Sequence, residues 1–123
     1  MVEIKLNEIK SYKVKRANDY SKGGFYLIID IETNKKYIGK SIDYLSRLKQ
    51  HLYKSSNKTL IDLELKKDIS KFRFYLLHKY SEFNINFFNR KLETIIEQKL
   101  IKENQTYSPK GFNNTYYEYI RIK

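Results

Sequence analysis

Cysteine and tryptophan are both absent from this chain of 123 residues, and proline occurs only once. Without cysteine there are no disulfides and no thiolate metal sites. No apolar run approaches the length of a membrane span, and the N-terminus lacks the pattern of a signal peptide. These absences predict a soluble protein of the cytoplasm. Acidic residues are also scarce: 14 Asp and Glu stand against 25 Lys and Arg, for a net charge of +11. A basic surface attracts phosphate backbones and releases their counterions, so a nucleic-acid partner is expected. Lysine-rich coding in an AT-rich genome would raise the charge too, and would also account for the many Ile, Asn and Tyr.

What is present suits one small domain. The length matches a single core, 41% of residues are hydrophobic, and the aromatics are 12 Tyr and 7 Phe. So many tyrosines require water or partners at their hydroxyls. No internal repeat and no low-complexity linker interrupts the chain.

Residues 1–21 read as a basic N-terminal arm, with a short strand as an option where Val2, Ile4 and Leu6 alternate before Lys13, Lys15 and Arg16. After Gly23 and Gly24, the alternation of Phe25, Leu27 and Ile29 with Tyr26, Ile28 and Asp30 is that of a strand. A turn around Glu32, Thr33 and Asn34 leads to a second short strand over Lys36–Lys40, giving an antiparallel hairpin. Ser41 is a plausible N-cap for a helix whose Ile42, Leu45, Leu48 and Leu52 form one stripe. A second helix is expected over Thr59–Asp68 with Leu60, Ile61 and Leu65 inward, then a strand over Lys71–His78. Leu92, Ile95, Ile96 and Leu100 predict a helix over Asn89–Glu103, and alternation over Tyr117–Lys123 suggests a closing strand. The expected fold is therefore α+β: a three-stranded antiparallel sheet flanked by helices, with an extra C-terminal strand.

Face assignment gives an expected register for the hairpin, with a shift of one residue as the alternative that would put Tyr26 and Tyr37 on opposite faces. Pairing Ile28 with Tyr37 keeps the turn short and sets Tyr26 opposite Gly39, which makes the two tyrosines diagonal neighbours on one face, roughly 7–8 Å apart. Gly39 leaves room beside Tyr26 for close approach. Tyr44, Arg47 and His51 share a helical stripe away from the leucines, beginning just after the strand that carries Tyr37 and Lys40. Such a stripe is usually a solvated face; a guanidinium beside paired phenols is also suited to holding a phosphate.

These residues resemble the GIY-YIG nucleases. Gly24-Phe25-Tyr26 and Tyr37-Ile38-Gly39 are similar to the two half-motifs, Lys40 to the Lys that follows the second in the excision-repair branch, and Arg47 with His51 to the Arg-x-x-x-His pair. Glu97 followed by Ile101 resembles the metal-binding Glu on a later helix, and Gly111-Phe112-Asn113 the late Gly-Tyr-Asn-like turn. The resemblance covers residues 22–114, leaving 115–123 as a Tyr-rich tail. Phe25 replaces the usual aliphatic residue, and Asn57 stands where some homing-type members have a second His.

The resemblance implies Mg²⁺- or Mn²⁺-dependent hydrolysis of DNA phosphodiesters. In that reading Tyr26, Tyr37, Arg47, His51 and Lys40 are catalytic, with Tyr26 the base or water-positioner and Tyr37 the holder of the scissile phosphate, or the reverse. Glu97 is the metal ligand, its helix expected to pack beside the hairpin face that carries Tyr26 and Tyr37, with Glu93 one turn earlier as the competing choice. Gly24, Gly39 and Asn113 shape the site, although Asn113 serves equally well as a simple turn residue. Lys13, Lys15, Arg16 and Lys49 are expected to bind nucleic acid. The alternative is a basic DNA-binding module of the same fold that cuts weakly or not at all. No separate recognition domain is expected within this length, so the expected binding is relaxed, structure-selective, or conferred by a homodimer or a specificity partner. Tyr107, Tyr116, Tyr117 and Tyr119 are candidates for base stacking, with an edge strand as the plainer account.

Overall fold

The computed structural model describes residues 1–13, 20–54 and 59–113. Lys15, Arg16, Asn57 and the C-terminal segment with its expected strand and Tyr116, Tyr117 and Tyr119 lie outside them. In chain order the elements are β1 (Val2–Ile4), α1 (Leu6–Ser11), β2 (Gly24–Asp30), β3 (Lys36–Ser41), α2 (Tyr44–Tyr53), α3 (Leu60–Lys67), β4 (Phe72–Lys79) and α4 (Lys91–Asn104). Short 3-10 turns flank β4 and precede α4.

The strands form one four-stranded sheet in the order β1-β4-β2-β3, every pair antiparallel. The α+β class is as expected, and a fourth strand is present. It comes from the N-terminus: Val2–Ile4 add to β4, and Ile9 of α1 is fully buried in the core. Alternation in so short a stretch allowed a strand but could not say that it joins β4, because an edge strand is defined by its partner.

The β2–β3 hairpin has the predicted register, with Tyr26 opposite Gly39 and Ile28 opposite Tyr37. Its turn is held by Asp30, whose carboxylate accepts the Glu32 amide at 2.9 Å and pairs with Lys71 at 3.5 Å. Asn34 takes the left-handed conformation there (φ 63°), which a short polar side chain tolerates.

Strand alternation then divides the core. Tyr26 and Ile28 join Phe74 and Leu76 on one face, covered by Leu48 of α2 and Ile61 and Leu65 of α3. Phe25, Leu27 and Ile38 point to the other, where Leu92, Ile96, Leu100 and Ile101 of α4 pack on them. Fully burying side chains such as Phe25 or Ile28 stabilises the fold by about 1.5–3 kcal/mol each.

The helices depart from their predicted faces. Ser41 belongs to β3, and Asp43 caps α2 by accepting the Ser46 amide at 3.2 Å. Ser41 instead turns the chain, its hydroxyl bonding both the amide and the carbonyl of Asp43 at 3.0 Å. Ile42 is consequently outside the helix and exposed. In α3, Leu60 is exposed and Asp62 is buried in its place, and in α4 Ile95 is exposed while Glu93 and Gln98 are buried.

Candidate active site

Gly39 creates the space in which the site is built. A Cβ at this position would lie 2.3 Å from the Tyr26 hydroxyl and Cζ. Only a residue without a side chain lets Tyr26 cross over β3. The Tyr26 ring then lies 6.3 Å from that of Tyr37, and both meet His51, at 5.7 and 5.5 Å between centroids. Gly24 is crowded as well: a Cβ there would stand 2.8 Å from Leu76 Cδ1.

His51 does not lie on a solvated stripe. It is buried, like Tyr26, whereas Arg47, one turn earlier on α2, is exposed and donates to Gln50 at 3.1 Å. The Tyr26 hydroxyl and His51 Nε2 are 2.7 Å apart, and on the other side His51 Nδ1 lies 2.6 Å from Asp62 Oδ1. The second Asp62 oxygen accepts the Thr59 hydroxyl. Asp62 was not among the residues picked out from the sequence. The signal available was its position beside Ile61 and one turn before Leu65, on the buried stripe of α3.

Electrostatics link this row to the charged residues. Burial and the neighbouring Tyr37 push the Tyr26 phenol well above its ordinary range, opposed by the Arg47 guanidinium. Burial, then the Glu97 carboxylate, raises Tyr37 to about 12, again against Arg47. Glu97 itself is pushed up to about 7 by burial, with Lys40 and Arg47 opposing and Glu93 adding to the rise. Burial opposes ionisation of Asp62 too, but the hydrogen bonds from His51 and Thr59 outweigh it and hold its carboxyl below the usual range. Arg47 and Glu97 therefore both act on the two phenols.

Glu97 reaches this region by an unexpected route. Its helix was expected beside the sheet face that carries Tyr26 and Tyr37; α4 instead covers the opposite face, against Phe25, Leu27 and Ile38. β3 is an edge strand of the sheet among the described residues, and the Glu97 carboxylate of α4 still acts electrostatically on both phenols. Lys40, directly opposite Phe25 in the hairpin, has the parity of the α4 face, consistent with its effect on Glu97. Glu93 and Glu97 differ in commitment: Glu93 accepts the Tyr80 hydroxyl at 2.6 Å and is buried under it.

Asn113 is a splint for β3. Its side-chain oxygen accepts the Ile38 amide at 2.8 Å and the Thr106 hydroxyl at 2.7 Å, and its amide donates to the Ile38 carbonyl at 2.8 Å. The adjoining Gly111 sits where a Cβ would be 2.3 Å from the Thr106 carbonyl oxygen. Among the basic residues picked out for nucleic acid, Lys13 is exposed, whereas the Lys49 ammonium donates to the Tyr12 carbonyl at 2.8 Å and ties α2 to the end of α1. His78 pairs with Glu82 at 3.0 Å at the end of β4 and takes no part in the site.

As for a metal, no group of three or more His, Asp or Glu side chains gathers to hold one among the described residues. A lone Glu97 carboxylate fits a Mg²⁺ that takes one or two carboxylates and fills its octahedron with water and phosphate oxygens. It does not fit a closed, all-protein cage. No described helix is long and apolar enough to cross a membrane.

Known structures share the architecture. The catalytic domain of the homing endonuclease I-TevI aligns with a TM-score of 0.60 and 24% identity, covering 76% of this chain and 99% of that domain. The same domain carrying a Glu-to-Ala substitution aligns with a TM-score of 0.60 over 77% of this chain and 98% of that one, also at 24% identity. No curated protein sequence matches. The sequence model of the GIY-YIG catalytic domain matches residues 22–113, a span that holds Tyr26, Tyr37, Arg47, His51, Glu97 and Asn113, and the chain thus belongs to the GIY-YIG family of nucleases.

Proposed function

We propose that this chain is a metal-dependent endonuclease that hydrolyses DNA phosphodiester bonds, by nicking or by double-strand cleavage. One observation carries the reading: a tyrosine hydrogen-bonded to a histidine at 2.7 Å shares its surroundings with a second tyrosine, an arginine and a carboxylate raised to about 7. A module that only bound DNA would have no use for that carboxylate beside the two phenols.

The residues divide the work by exposure and bonding. Tyr37, half-buried, is the phenol that meets the scissile phosphate, and Arg47, exposed on α2, neutralises charge that grows on the phosphoryl oxygens. Tyr26, bonded to His51, positions the attacking water and handles its proton. That role requires the substrate-bound groove to admit one water to a phenol that is 1% exposed here. Glu97 would hold the cation, with Lys40 moderating its charge. A bound Mg²⁺ would supply further stabilisation of the phosphoryl oxygens and the leaving group. Lys13 and the rest of the +11 charge would draw the substrate in.

A plasmid-nicking assay with Mg²⁺ tests the reading on wild type, Arg47→Ala and Glu97→Ala. Cleavage by the wild type and loss of about 10²-fold or more in each variant is expected. Undiminished cutting by both variants would overturn the site. DNA binding by a wild type that never cuts would make the chain a binding module.

A further inference from the structure

We propose that Asp62 is a positioning residue for phosphodiester hydrolysis, fixing His51 in the tautomer whose Nε2 lone pair receives the Tyr26 proton. The proposal rests on the nuclease reading and deepens it.

The hydrogen bonds determine the tautomer. An ionised carboxylate only accepts, so the 2.6 Å contact between Asp62 Oδ1 and His51 Nδ1 places the proton on Nδ1. In the neutral ring Nε2 is then an acceptor, and at 2.7 Å it accepts from the Tyr26 hydroxyl. Thr59 occupies the other Asp62 oxygen, which leaves the carboxylate no free rotation. Asp62 and His51 are 2% and 6% exposed, and the residues around them include Leu48, Ile61 and Leu65. A charged acid is costly in such a setting, where an apolar residue of similar size would pack at no electrostatic expense. The row of phenol, imidazole and carboxylate runs from the phenol pair to α3 and is anchored there by Thr59.

The step balances. As the water oxygen bonds to phosphorus, the bond from phosphorus to the departing nucleotide oxygen breaks with its electron pair. The water proton passes to Tyr26 Oη while the Tyr26 proton passes to His51 Nε2, and the departing oxygen takes a proton from solvent. His51 is left as an imidazolium beside the Asp62 carboxylate.

Three measurements on the full chain test this. Ring ¹⁵N NMR of the wild type, which has only two histidines, should show His51 protonated on Nδ1; protonation on Nε2 alone would overturn the proposal. Asp62→Asn should lower kcat by about tenfold to a thousandfold with little change in KM for DNA, and should shift the His51 ring signals away from the Nδ1–H form. His51→Ala and the double variant His51→Ala/Asp62→Asn should be equally slow, because Asp62 acts through His51; a further loss in the double variant would assign Asp62 a merely structural part. The NMR measurement needs no substitution, so a misfolded Asp62→Asn does not shelter the idea. If the wild type cuts, Tyr26→Phe is silent and Asp62→Asn cuts normally, this proposal alone fails. A wild type that cuts no DNA with Mg²⁺ or Mn²⁺ ends both.

Discussion

Two tyrosines are fully or almost fully buried on opposite faces of the same sheet, and they are partnered differently. On the α4 face, Tyr80 donates directly to the Glu93 carboxylate at 2.6 Å. On the α2 face, Tyr26 meets an imidazole first, and the carboxylate of Asp62 stands behind it. Both phenols are raised above their ordinary range by burial. The consequences diverge, because a carboxylate in direct contact opposes a phenolate, whereas a neutral imidazole takes a proton and becomes the countercharge. Tyr80 and Glu93 thus form a fixed joint between the turn after β4 and α4. Tyr26 is the phenol with somewhere to send its proton.

The contrast is most directly broken by removing each hydroxyl in turn. Tyr26→Phe should reduce DNA cleavage by about 10²–10⁴-fold while the protein stays folded. Tyr80→Phe should leave cleavage within a few-fold of wild type but lower stability by about 1–3 kcal/mol, since Glu93 loses its partner. Equal losses of activity in two folded variants would erase the distinction.

Gly39→Ala probes the space Tyr26 occupies. The new methyl would meet the phenol at 2.3 Å, so Tyr26 or β3 must shift; the expected result is a loss of about 10²-fold in kcat and about 1–3 kcal/mol in stability by overpacking. Activity at the wild-type level, measured in the same nicking assay, would show that the placement of Tyr26 is not needed.

Asn113→Ala tests the splint. It leaves the Ile38 amide and the Thr106 hydroxyl without their partner, at a cost of about 1–3 kcal/mol in urea unfolding. Its effect on kcat should be smaller than that of Gly39→Ala, because it acts on β3 only through the backbone.

A pH dependence is also expected. Glu97 has a folded-state pKa of about 7 against an ordinary 4.5, so the folded chain favours the protonated form. Its stabilisation, complete below about 4.5, is lost as pH rises through about 7. Melting temperatures of the metal-free protein in EDTA should therefore fall across this window, less steeply in Glu97→Gln. A parallel decline in both proteins would exclude Glu97 as the cause. Added Mg²⁺ should bind more tightly as pH rises through the same range, because cation and proton compete for one carboxylate.

How much of this was legible beforehand varies with the range of the interaction. The hairpin register was readable because alternation has a period of two, and setting Tyr26 opposite Gly39 keeps the turn short. The third predicted strand was readable for the same reason and is displaced by one residue, at Phe72–Lys79. Helix faces were read less well. Ile42, Leu60 and Ile95 were expected inward and are exposed, because hydrophobicity marks what a face can bury without saying which neighbour arrives to bury it. The stripe of His51 allowed a solvated face or a place in the site, and its burial with Asp62 of α3 against its ring was not readable from its own helix.

Sequence alone determined the β2–β3 hairpin, the presence of paired phenols on one face of it, and the family to which Gly24-Phe25-Tyr26, Tyr37-Ile38-Gly39, Arg47, His51 and Glu97 point. These are local features, set by backbone periodicity and by residue types at fixed spacing. Only the tertiary structure decided that the N-terminal strand completes the sheet, that Glu93 is tied to Tyr80, and that α4 carries Glu97 on the far side of the sheet. It alone brought Asp62 to His51. Those contacts join residues on separate elements, and nothing in the period of one helix records which side chain of another will be packed against it.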